Sequence, residues 1–154
     1  MDVDARQAVV TALLRLAVSS DCQDRADAGR GLASFTDVPA ARRKLLDLVL
    51  DAADTSVTDE TTEALVRRGD AETLAIVCAG AARAGDDHVD HLYTTLCSTL
   101  VVYESERDAA VATCQALVDD PTRDEDTRSG AAAVIAALTE LRPVLLLAKK
   151  SDRP

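Results

Sequence analysis

Apolar residues recur along this chain at the spacing of helices. Val9, Leu13 and Leu16 stand at i, i+4 and i+7, which predicts one apolar stripe on a helix over residues 4–18. Ser19, Ser20 and Asp21 end it. A second helix is expected over 24–35, with Ala26, Ala28, Leu32 and Ala33 on its apolar side and Gly29 and Gly31 inside it. Each internal glycine costs a helix roughly 1 kcal/mol. The pair marks either a close approach of a neighbouring helix or a frayed segment. Pro39 suits the first turn of a third helix, where its missing N–H is not needed. Leu45, Leu46, Leu48, Val49 and Leu50 make this third helix the most apolar of the set.

The boundaries that follow are marked by turn chemistry. Ser56–Asp59, Ser105–Asp108 and Thr122–Glu125 each match the S/T-x-x-D/E helix start. A fourth helix reaches Arg67 and Arg68, cations placed at the negative end of the helix dipole. Gly69 then supplies a left-handed stop, and Asp70 caps the fifth helix, expected over 71–84. The fifth helix carries Leu74, Val77, Cys78 and Ala81 on one face, and the sixth, from Asp86 to about 102, carries Val89, Leu92, Leu96 and Leu100. Val111, Cys114, Leu117 and Val118 mark a seventh helix, broken at Asp120-Pro121. An eighth is expected over 131–141 and a last short one over 144–150, before a disordered tail at 151–154. No window shows sustained alternation of apolar and polar residues, so strands are not expected.

Composition agrees with helices. The 154 residues are 47% hydrophobic but only 2% aromatic, so a core must be built from Leu, Val and Ala. Fourteen arginines stand against three lysines, a bias that high-GC bacterial coding sequences tend to give. Net charge is −10: residues 1–140 hold 13 basic and 26 acidic side chains, and residues 141–154 hold 4 basic and 1 acidic. An acidic body of this kind argues against nucleic acid as a partner and favours a basic protein. Met1–Arg6 is acidic with no apolar stretch after it, and no apolar run, that at 144–148 included, approaches the length of a membrane span. A cytoplasmic protein with no membrane partner is expected. Cys22, Cys78, Cys97 and Cys114 have no C-x-x-C spacing, so they read as small apolar residues under reducing conditions.

The helices also repeat. An acidic turn followed by a small-and-apolar helix and then a second amphipathic helix recurs about every 33 residues, starting at Asp21, Asp54, Asp86 and Asp124. Asp54-Thr55-Ser56-Val57 with Ala64-Leu65 lies over Asp86-Asp87-His88-Val89 with Leu96-Cys97. Asp24-Arg25-Ala26 with Gly29 and Leu32, and Asp124 to Arg128 with Ala131, Ala132 and Ile135, follow the same pattern. Over about 21–141 the chain resembles the HEAT repeat family, although the turn proline of that family is mostly missing and the arginine after the turn is clear only at Arg25 and Arg128. The resemblance implies an all-α fold: a short right-handed α-solenoid of eight or nine helices in antiparallel pairs, one unit over residues 1–150 with the first and last helices as caps. It implies a non-catalytic role in protein–protein interaction, as an adaptor or scaffold.

Candidate chemistry is sparse. His88 and His91 share one helical surface beside Asp86, Asp87 and Asp90, a set that a divalent metal accepts, but a polar helix start with two solvated imidazoles accounts for the same residues and no metal is expected. The paired carboxylates at the turns explain themselves as caps. No phosphate-binding glycine loop or nucleophile elbow is present, so neither a cofactor nor a catalytic residue is assigned and an enzyme is not expected. Arg42, Arg43 and Lys44, on a second-of-pair helix, are candidate partner-binding residues, as are Asp86 and Asp87. Second-of-pair helices line the concave side in the HEAT family. Steps of about 100° around a helix prevent three consecutive side chains from facing one way, which points to a solvated flank. An immunity-type inhibitor of a basic toxin or nucleic-acid-acting protein is the alternative role, and an enzyme using His88 and His91 is a third.

Overall fold

The computed structural model describes residues 2–145; the side chain of Asp87 also lies outside the described residues. Within them the chain is all-α. Eight helices follow one another: α1 (Val3–Leu16), α2 (Cys22–Leu32), α3 (Pro39–Val49), α4 (Thr55–Arg68), α5 (Ala71–Arg83), α6 (Asp86–Leu100), α7 (Glu104–Asp119) and α8 (Glu125–Glu140). A single 3-10 turn, Ala33–Phe35, closes α2. No strand occurs among the described residues. One isolated parallel bridge joins Tyr103 to Leu145. Val144 and Leu145 are therefore extended, donating their N–H groups to the carbonyls of Val101 and Val102, where a last helix was expected. Pro143 steers the chain there, since the residue before a proline avoids helical geometry. The rest of that expected helix and the tail lie outside the described residues.

The helix starts differ from the S/T-x-x-D/E matches in an instructive way. Aspartates and not the motif hydroxyls do the capping: Asp54, two residues before Ser56, accepts its N–H, and Asp124, two residues after Thr122, accepts that of Thr127, while α7 follows Tyr103 with no side-chain cap. Asp21 and Asp70 act likewise, Asp70 accepting from both Glu72 and Thr73. A carboxylate at this position gives a charge-assisted hydrogen bond and meets the positive helix end, so it outcompetes a nearby hydroxyl. The stop at Gly69 holds: its φ is 65°, where a side chain would be strained.

Helices α2, α4 and α6 lie side by side, with α1 against α2. Helices α3 and α5 form a second row behind them, and both α7 and α8 pack on α5. One hydrophobic cluster runs through the molecule from Val10 to Leu138. Its centre is α5, whose residues from Thr73 to Gly80 are all buried, so α5 and not α3 is the most deeply enclosed apolar helix. The stripe on α1 is also displaced by one position. Val10 and Ala17 are buried, while Val9 is 40% exposed.

Glycines set the closest crossings. A Cβ at Gly29 would stand 2.1 Å from Oγ1 of Thr61 on α4, which decides for close approach over fraying. At Gly130 on α8 it would stand 1.9 Å from the Cys78 carbonyl oxygen of α5, so the two helices meet there backbone against backbone. Turns are tied across the repeat as well. Arg25 holds Asp51 at 2.7 Å, both side chains nearly enclosed, and His88 Nε2 donates to the Asp51 carbonyl at 2.9 Å.

Candidate functional site

The feature best suited to binding is a recess of about 270 Å³ where α3, α5 and α8 meet. Its floor is aliphatic: Ile76 is 4% exposed, Ala75 and Ala79 7%, and Leu46 adds a half-buried wall. Its rim carries Arg42 and Arg43 from α3, Arg83 from the end of α5 and Arg123 from the turn before α8, together with Glu72, Asp124 and Thr127. Helical spacing explains the placing. Glu72, Ala75, Ile76, Ala79 and Arg83 follow one another at three- and four-residue steps, so they line one face of α5.

Glu72 organises the rim. Its carboxylate takes Arg42 at 2.5 Å from one side and Arg123 at 2.6 Å from the other. The Arg123 hydrogen bond chiefly holds its carboxyl below the ordinary range, against partial burial and with help from the charges of Arg42 and Arg123. Arg123 also reaches Asp120 at 3.3 Å, and Arg42 donates to the Thr36 carbonyl. Asp124 is committed to Thr127, accepting from its backbone N–H and its hydroxyl at 2.9 Å each. Arg83 meets Asp126 at 2.6 Å. Arg43 is exposed and makes no ion pair among the described residues.

The other sequence candidates separate. Lys44 turns away from the recess and pairs with Asp47. Asp86 is exposed at the first position of α6, and the side chain of Asp87 lies outside the described residues. His88 is spent on the Asp51 carbonyl, while His91 lies 3.7 Å from Asp59, so the two imidazoles serve different neighbours. No three His, Cys, Asp or Glu side chains gather as metal ligands among the described residues. The four cysteines are free. Cys78 and Cys114 face each other in the core with sulfurs 3.9 Å apart, and the Cys114 thiol together with burial pushes the Cys78 thiol up.

A second recess, of about 290 Å³, lies at the C-terminal ends of α4 and α6, but its cations are neutralised locally: Arg67 pairs with Glu63 and Arg68 with Asp70. No described helix is long and apolar enough to cross a membrane.

No protein-family model matches the chain, and no curated protein matches it. Among solved structures, the crystal structure of an engineered protein from the Northeast Structural Genomics Consortium is similar over 95% of this chain and 67% of that one, at 20% identity and a TM-score of 0.38. A likeness of that degree carries no argument about function.

Proposed function

We propose that the chain is a non-catalytic protein-interaction module built as a short HEAT-like α-solenoid. Two observations support the architecture. First-of-pair helices α2, α4 and α6 lie in one row and α3 and α5 in another, so each pair buries its apolar side on the next. Arg25 and Arg128, the fourth residues of α2 and α8, make equivalent bonds: both reach back to carbonyls of the preceding segment, Ser19 and Ser20 for Arg25 and Val118 for Arg128. The row changes at its end, where α8 packs on α5 and α7.

One observation carries the binding role: the recess over α5, an aliphatic floor enclosed by charged side chains from three separate helical segments. Such a patch, apolar within and polar at its edge, is the anatomy of a protein interface. The carboxylates singled out along the chain support the same reading, since many are engaged in helix caps and ion pairs.

Affinity capture from lysate at low and high salt, followed by calorimetry of the purified pair, tests the role. A defined complex is the expected result. A chain that forms no complex with any captured protein once both are purified would overturn the reading.

A further inference from the structure

The chemistry of the recess narrows what can sit in it. Four arginines line it against two carboxylates, with Asp120 and Asp126 paired to Arg123 and Arg83 just outside it, on a chain whose net charge is −10. Both carboxylates are committed, Glu72 between two guanidinium groups and Asp124 to the start of α8. An approaching cation would have to displace an arginine from Glu72. An approaching carboxylate meets Arg43, which has no ion pair among the described residues, and then Arg42 and Arg83, which are paired to Glu72 and Asp126 but whose side chains stay 46% and 47% exposed and keep further N–H groups to donate. A guanidinium offers a planar fork that matches a carboxylate with two parallel hydrogen bonds.

The floor sets the second requirement. A small inorganic anion would leave Ile76, Ala75, Ala79 and Leu46 uncovered. A volume of about 270 Å³ falls just below the roughly 300–1,000 Å³ of pockets that enclose a whole small molecule. It suits one large apolar side chain, with the rest of its segment lying across α3 and α8. Nucleic acid is disfavoured by the acidic body around the recess.

We propose that this recess is the docking site for an acidic protein segment that seats one apolar side chain on Ile76 and engages Arg42, Arg43 and Arg83 with flanking aspartate or glutamate carboxylates. The proposal rests on the interaction-module reading and names its partner chemistry. It assigns the arginine rim to an acidic segment even though the rest of the surface favours a basic partner.

Selection of binders from a displayed random-peptide library against the full chain, followed by amide chemical-shift mapping with an enriched peptide, tests it. Enriched sequences should be acidic around one Leu, Ile or Phe, and shifts should centre on Leu46, Ile76, Ala79 and Thr127. Arg43→Glu should weaken binding by about tenfold or more, the equivalent of one charge-assisted hydrogen bond, with an unchanged helical circular dichroism spectrum. Lys44→Gln, one residue further on but off the recess, should leave affinity unchanged. Enrichment of basic or uncharged peptides, or an Arg43→Glu variant that binds as tightly as the parent, would overturn the proposal. Shifts confined to α2, α4 and α6 would overturn it while leaving the module reading in place. A library that yields no binder would remove this proposal, whereas the module reading stands or falls on protein capture.

Discussion

Gly130→Ala is the sharpest probe of the α5–α8 crossing. The new methyl would stand 1.9 Å from the Cys78 carbonyl oxygen, and an ordinary carbon–oxygen contact needs about 3.3 Å, so α8 must retreat by roughly 1.4 Å. The obstacle is backbone inside a helix, which cannot rotate aside as a side chain does. Gaps of about 1 Å forfeit up to half of each dispersion contact, and Ala131, Val134 and Leu138, all fully enclosed, lie on the retreating helix. Replacing glycine inside a helix returns about 1 kcal/mol of intrinsic preference. Set against an overpacking penalty at or above the usual range, the net loss should be about 2–4 kcal/mol. For a chain of this length that lowers Tm by roughly 5–15 °C, readable by circular dichroism melting and urea titration. Gly31→Ala is the matched control. Its nearest obstacle is Cδ2 of Leu13 at 2.7 Å, the end of a flexible side chain, so it should stay within about 1 kcal/mol of the parent. A Gly130→Ala variant that melts at or above the parent temperature would refute the close crossing.

Other perturbations read other parts of the fold. Gly29→Ala should destabilise by driving a methyl into Thr61, and adding Thr61→Ala should restore much of the loss; a double-mutant cycle with no coupling would contradict the contact. The hydroxyls of Thr58 and Thr62 are buried without a hydrogen-bond partner, so Thr58→Val or Thr62→Val should raise stability by about 1 kcal/mol in urea titration, and a loss of that size would show that the hydroxyls are bonded. Half-buried Cys22 and Cys97 should react with a thiol reagent in the native protein before buried Cys78 and Cys114 do, and equal rates for all four would place the latter pair outside the core. Asp51, Asp54, Glu72, Asp120 and Asp124 all have lowered carboxyl pKa values, mainly through hydrogen bonds from arginine, hydroxyl or backbone N–H groups, with burial the largest, opposing influence at Asp51. Their stabilisation is complete above the unfolded carboxylate range near about 4 and is lost as pH falls through the lower folded values. Urea midpoints measured against pH should therefore hold from neutrality to about 4 and drop below it, and a midpoint that stays level below that range would contradict the linkage.

Much of the helix order is legible because helices announce themselves locally. The Arg67-Arg68-Gly69-Asp70 junction carries its stop and its cap within four residues, and both perform as read. The Ser56, Ser105 and Thr122 motifs mislead because a hydroxyl three residues before an acid matches the pattern whether or not that hydroxyl takes the cap: Asp54 caps α4, Asp124 caps α8, and α7 has no side-chain cap. The enclosure of α5 is hidden for another reason: Ala75 and Ala79 are small, so they weaken any amphipathic pattern and give no sign of burial on the second side. Gly130 passes unnoticed in a run of alanines, although a lone glycine inside a helix is the available signal of close approach. The recess is the least legible feature. Arg42, Arg43, Glu72, Ile76 and Arg123 are brought together only by the packing of α3 and the α7–α8 turn on α5, and no window of sequence holds them. Only Arg42 and Arg43 stand out beforehand, and their neighbour Lys44 belongs to a different surface.

The way α8 closes on α5 has a bearing on self-assembly. A row of packed helices can join copies end to end, and a fibre grows only when two complementary ends both stay sticky. At one end α8 covers the flank of α5 and α6 turns the polar side chains of Asp90, His91, Thr94 and Ser98 outward, but Val102, Tyr103, Val144 and Leu145 just beyond α6 are exposed. The other end, α1, shows Val3 at 79% and Val9 at 40% exposure. An apolar patch at each end is the condition under which copies of a chain can stack end to end.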